Sequence, residues 1–112
     1  MAEVRRISRT ALSAIDRYEL RMSPMLRLEL QYLRETGKLD VEPDLVLSHL
    51  YERLDVRICD ISFDRISIAA CRESWTRDAF DRLIVANARC ASDSYLISAD
   101  SRIGENYPFT IW

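Results

Sequence analysis

Val4, Ile7, Ala11, Ile15 and Tyr18 recur at intervals of three and four residues, the spacing of one stripe on a helix, which predicts a helix from about Glu3 to Arg17. Glu19 to Met22 reads as a short strand. Ser23 followed by Pro24 marks a helix start, a capping hydroxyl with proline in the first turn, and Gly37 is the matching stop. Pro43 opens another helix, to about Arg53. Val56 to Ile61 is partly alternating and rich in β-branched residues, so a strand is predicted there, followed by a helix from Asp64 to about Trp75. Asp78 caps a further helix ending near Ala91. Tyr95 to Ser98 reads as an apolar strand, and Phe109 to Trp112 as a second, after a turn around Gly104 and Pro108. Alternating helices and strands imply an α/β fold with a mostly parallel sheet, because each strand-to-strand connection carries a helix.

Composition narrows the class. At 112 residues the chain has room for one core, and 48% hydrophobic with 30% charged residues is the balance of a packed globular domain. Two glycines, three prolines and no repeat or linker leave residues 1–112 as a single domain. No apolar run approaches bilayer length and the first ten residues are too charged for a secretory signal, so the expected location is cytoplasmic, with no membrane partner. Cys59, Cys71 and Cys90 are odd in number, widely spaced and set in apolar stretches, which reads as small buried hydrophobes without disulfides. With a single histidine, His49, a zinc site lacks its usual ligands, and any metal has to be held by oxygen. A net charge of -2 gives no global pull toward nucleic acid. Lys38 is the only lysine among 16 basic residues; the arginine bias suits phosphate recognition and equally reflects a GC-rich genome.

Three carboxylates interrupt the apolar pattern. On the helix after Ser23, Met25, Leu26, Leu28, Leu30, Tyr32 and Leu33 fall on one broad arc with Glu29 near its middle, while Arg27, Gln31, Arg34 and Glu35 take the other side. Glu29 is then either paired with a distant arginine or a metal ligand in a cleft. On the helix opened by Asp78, Phe80, Leu83, Ile84, Ala88, Cys90 and Ala91 face inward and Arg82 and Arg89 away, with Asp81 at the border. Asp78 as N-cap and Asp81 as complement to the helix dipole account for both without a site. Asn87 reads as a hydrogen-bonded core amide. Asp100 follows an apolar strand, where open α/β sheets place ligand sites, and also suits a turn-capping aspartate. Brought together, Glu29, Asp81 and Asp100 would suit Mg²⁺ or Mn²⁺, which prefer hard oxygen ligands.

The segment from Arg77 through Asp78, Asp81, Leu83 and Ile84 to Ala86 resembles the part of PIN-domain proteins of the VapC toxin type in which an aspartate precedes a hydrophobic pair and alanine. Leu96 to Asp100 is similar to that family's next strand and its terminal aspartate, and Tyr107 to Trp112 to its closing strand. Ser23 to Glu29, with Gly37 to Leu39, is similar to the segment carrying the family's glutamate. The similarity runs over nearly the whole chain in the family's order. It implies a three-layer α/β/α fold in which Glu29, Asp81 and Asp100 are catalytic metal-site carboxylates, with Asp78 accessory. It further implies Mg²⁺- or Mn²⁺-dependent hydrolysis of RNA, in which the cation activates a water and neutralises charge on the scissile phosphate. An antitoxin placing a basic residue in the acidic cleft, and a homodimer, complete the implied partners.

The chain departs from the family at its start. Family members open with a central strand ending in an aspartate, whereas this sequence begins with the helix that should follow it, and neither Glu3 nor Asp16 follows an apolar strand. Relative to the family the domain is N-terminally truncated, and the absent strand should leave unpaired backbone edges on both sides of a gap. A start placed downstream of the true one, a decayed remnant, or a partner chain covering the edge each account for this. Two functional expectations result: an endoribonuclease, the toxin half of a type II toxin-antitoxin pair, or a non-catalytic truncated module that dimerises or binds a partner protein. An in-frame apolar stretch ending in aspartate upstream of Met1 in the coding DNA favours the first, a stop codon the second.

Overall fold

A computed structural model describes residues 9–91, 94–98 and 100–111, without the side chains of residues 11, 12, 15 and 16. In chain order these form α1 (Arg9–Arg17), β1 (Arg21–Met22), α2 (Met25–Glu35), α3 (Pro43–Leu54), β2 (Arg57–Ile58), α4 (Phe63–Ala70), α5 (Ala79–Cys90), β3 (Leu96–Ile97), α6 (Ser101–Asn106) and β4 (Thr110–Ile111). The fold is α/β, and both strand pairs are parallel, as the alternation of elements requires. Trp112 and the stretch of the expected first helix before Arg9 lie outside the described residues.

Local chemistry explains the helix ends. The Ser23 hydroxyl accepts from the Met25 amide at 3.1 Å, and its carbonyl accepts from Leu26. At the other end of α2, Gly37 takes φ +80°, a left-handed conformation that glycine adopts without a Cβ clash. This allows the Gly37 amide to reach the Arg34 carbonyl and the Lys38 amide to reach Leu33, the paired bonds that close a helix C-terminus. Pro43 sits in the first turn of α3, and Asp78 caps α5 through bonds to the amides of Phe80 and Asp81.

Strands β1 and β3 each cover two of the four residues expected, and three further boundaries differ more. Strand β2 covers two residues of the expected Val56 to Ile61. Helix α4 stops at Ala70 rather than near Trp75, because tight turns at Arg72 and Glu73 direct the Glu73 side chain inward, where Trp75 Nε1 donates to it at 2.7 Å and Arg89 Nε also donates. The expected turn at Gly104 is the short helix α6, capped by Asp100.

Packing divides the interior in two. Helix α5 lies against α4, burying Ile66, Ala70 and Ala86 with Leu83 and Cys90 beside them. Its neighbouring face packs Val85 and Ala88 against Ile103, Tyr107, Leu96 and Trp75. Helix α2 rests on α3 and α5, while α1 and α6 contact β4. The cysteines are not the buried hydrophobes expected: Cys71 is exposed, and Cys59 and Cys90 are half-covered, all three as free thiols.

The sheet is divided as well. Among the described residues, strand β1 pairs only with β2 and β3 only with β4, so the described part of the expected mostly parallel sheet is two two-stranded pieces. The rings of Tyr18 and Tyr95, which precede β1 and β3, lie 5.5 Å apart. Both strands therefore start at one pole of the molecule.

Candidate functional site

The opposite pole is acidic. Glu29 stands one turn into α2, just beyond β1; Asp78 and Asp81 occupy the cap and first turn of α5; Asp100 follows β3 and caps α6. Partial burial raises the Glu29 carboxyl from its ordinary value, and the negative charges of Asp81 and Asp78 push it further. Asp81 is raised by the same causes in the same order, burial first and then the fields of Asp78 and Asp100, with Arg102 acting against them. The four carboxylates thus share one field, although they come from three distant segments of the chain.

The alternative in which each carboxylate is held by its own arginine does not apply: among the described residues, the ion pairs join Arg21 to Glu19, Arg27 to Asp44, Arg34 to Glu42, Arg57 to Asp55 and Arg89 to Glu73. None uses Glu29, Asp78, Asp81 or Asp100. Capping does occupy part of the set. One oxygen of Asp78 accepts from Phe80 at 2.8 Å, and one of Asp100 accepts from Arg102 at 2.8 Å and Ile103 at 3.4 Å. Each carboxylate retains a second oxygen that this capping does not use.

For a divalent cation the donor type is right, since hard carboxylate oxygens with no ion-pair partner are what Mg²⁺ or Mn²⁺ takes. The spacing is not: among the described residues, no three His, Cys, Asp or Glu side chains are grouped closely enough to hold a metal ion. The residues expected to share one cation are electrostatic neighbours, not a formed ligand shell.

The apolar arc expected around Glu29 is also narrower than the sequence suggested. Leu30 is buried, but Leu28 and Tyr32 are each 54% exposed. Glu29 therefore borders a half-open face of α2 rather than the centre of a core stripe. Asn87 differs in the opposite sense. It is buried at 6% exposure, yet its Oδ1 has no hydrogen-bond partner among the described residues, where a bonded core amide was expected.

Two features escaped the sequence reading. Arg102 is the cation that acts on Asp81; its guanidinium donates to the Trp75 carbonyl at 2.6 Å and lies 5.7 Å from the Trp75 ring. Glu73, 4% exposed, joins Trp75 and Arg89, and Arg89 in turn donates to the Asn106 carbonyl at 2.7 Å and sits over the Tyr107 ring. The sequence signal for the latter was Trp75, whose indole N–H needs an acceptor once covered. Arg102 carried no such signal, because an arginine in a polar turn reads as solvated.

Comparison of the chain with protein-family models, with curated proteins and with solved structures gave no match. Among the described residues, no helix is long and apolar enough to cross a membrane.

Proposed function

We propose that this chain is a PIN-like, divalent-cation-dependent endoribonuclease, the toxin component of a type II toxin-antitoxin pair, with the acidic pole as its site. The supporting observation is the common field of Glu29, Asp78, Asp81 and Asp100 at the pole where β1 and β3 end. Open parallel sheets place ligand sites beyond the carboxyl ends of their strands. In this reading Glu29, Asp81 and Asp100 are the cation-facing carboxylates, Asp78 is an accessory that also caps α5, and Arg102, whose charge acts on Asp81, is a positive charge for a phosphate. Mg²⁺ or Mn²⁺, an RNA substrate, an antitoxin and a second copy of the chain belong to the same proposal, as does a cytoplasmic location.

Incubating the chain with structured RNA and Mg²⁺ or Mn²⁺, beside Glu29→Gln and Asp81→Asn, tests it. Cleavage by the parent chain that both substitutions abolish supports the proposal. Equal cleavage by all three assigns the activity to another site or to a contaminant.

A second reading, a non-catalytic PIN-like module that binds a partner protein, is favoured by the spacing of the carboxylates and by the divided sheet. Absence of cleavage under every cation, together with retained binding of a partner, selects this reading.

A further inference from the structure

Among the described residues, strands β1 and β3 each have one neighbour and one open side. The amides of Arg57 and Cys59 donate to the carbonyls of Leu20 and Met22, so alternation along the strand turns the N–H and C=O of Arg21 away from β2. Likewise the amides of Leu96 and Ser98 reach Phe109 and Ile111 of the β4 strand segment, which turns the N–H and C=O of Ile97 away from β4. Both strands run from the Tyr18–Tyr95 pole to the acidic pole. Parallel sheets are normally several strands wide and covered on both faces, yet here Leu96, Ile97 and Met22 are only half-buried and Ile58 is exposed.

Helix α5 shows a matching deficit. At about 100° per residue, Leu83, Ala86 and Cys90 face α4, and Val85 and Ala88 face β3 and α6. Opposite Arg82 and Arg89 lies a third stripe, Phe80, Ile84 and Asn87. Phe80 meets Tyr32 of α2 at 6.3 Å, Ile84 is only half-covered, and Asn87 Oδ1 is buried without a donor. One strand added alongside both β1 and β3 would account for the divided core, the divided sheet and the unpartnered amide oxygen.

We propose that the open edges of β1 and β3 take up one extended segment of a different polypeptide, about five residues long, inserted parallel to both strands. Its side chains are apolar on both faces, because a strand added between two parallel strands under helices is covered on both sides. Its direction brings its carboxyl end to Glu29, Asp78, Asp81 and Asp100, so charge complementarity calls for a basic residue following the strand. A second copy of this chain fits poorly: pairing identical edges across a two-fold axis sets strands antiparallel, and all four described strands are already paired within the chain.

The experiment uses the chain as it stands, with a synthetic peptide of alternating valine and isoleucine, about five residues long, closed by two lysines. Its binding is followed by amide hydrogen exchange resolved by NMR. Saturable binding with new protection of the Arg21 and Ile97 amides is expected. The peptide with its lysines moved to the amino end should bind about fivefold more weakly, the loss of one partly exposed ion pair. Replacing the central valine by proline should abolish binding, because proline has no N–H to donate. The proposal fails if the proline peptide binds equally well, if both lysine placements bind alike, or if binding leaves Arg21 and Ile97 unprotected. It fails too if those amides are already protected in the free chain, or become so only as the chain self-associates.

Discussion

Arg89 on α5 hydrogen-bonds the carboxylate of Glu73, which is almost fully covered although it lies in the loop that leads away from α4. This bond, with those to Trp75 and to the Asn106 carbonyl, ties the loop, the last turn of α5 and the end of α6 together. The charge is exposed at its arginine end and buried at its glutamate end, so removing the arginine would leave a covered carboxylate short of a donor.

Substitution at this pair should be costly. Glu73→Gln is expected to destabilise the fold by about 2 kcal/mol, within the range for hydrogen bonds to charged groups, and Arg89→Ala by a similar amount. Urea unfolding of both single variants and the double variant checks this. Coupling is expected, because each single change strands the other partner.

The raised carboxyls set a pH dependence opposite to that of a salt-bridged acid. Glu29 and Asp81 lie above their unfolded values, so the folded state favours their neutral forms. Their contribution is fully present below the ordinary carboxylate range and is lost as pH rises through the raised values. Glu29→Gln and Asp81→Asn should therefore raise the melting temperature at about pH 7 and change it little at about pH 3.5. Thermal melts at the two pH values decide it.

Asp78 combines two roles that chemistry separates. Asp78→Ala removes the α5 cap and should cost about 1 kcal/mol. Asp78→Asn keeps a capping oxygen and should leave that stability intact while lowering the pKa values of Glu29 and Asp81, since it removes a negative neighbour from both. NMR titration of the two carboxyls, beside denaturation of both variants, distinguishes cap from charge.

Divalent cations should relieve the same repulsion. Mn²⁺ at neutral pH is expected to raise the melting temperature of the parent chain more than that of Glu29→Gln or Asp81→Asn. Its affinity should fall at acid pH, because protons and the metal compete for one set of oxygens. A cation affinity independent of pH would contradict this account.

Core truncation gives a reference for the scale of these effects. Ile66, 2% exposed between α4 and α5, should lose about 2 to 5 kcal/mol on Ile66→Ala. A much smaller loss, measured by denaturant unfolding, would mean that the α4–α5 cluster is looser than its burial indicates.

Most element positions were legible because their causes are local. Gly37, Pro43 and Asp78 act within one turn of where they stand, each as its type requires, while Ser23 bonds the Met25 amide one residue ahead of the N-cap, Pro24. The end of α4 was not legible, since it depends on Glu73 finding Arg89 sixteen residues further on. Periodicity likewise placed Leu28 and Tyr32 in the core stripe of α2, but both stay more than half exposed, Tyr32 in spite of its contact with Phe80.

What the amino-acid sequence determined by itself is the order of helices and strands, their caps and the parallel sense of their pairing, because hydrophobic period, capping and crossover rules operate over short stretches of chain. Tertiary structure alone decided that, among the described residues, Glu29, Asp78, Asp81 and Asp100 meet in one field without forming a three-ligand metal group, and that the described strands form two separate pairs. Distances between carboxylates and the neighbours of a strand edge depend on how separate elements pack, and packing is a property of the whole fold rather than of any one segment.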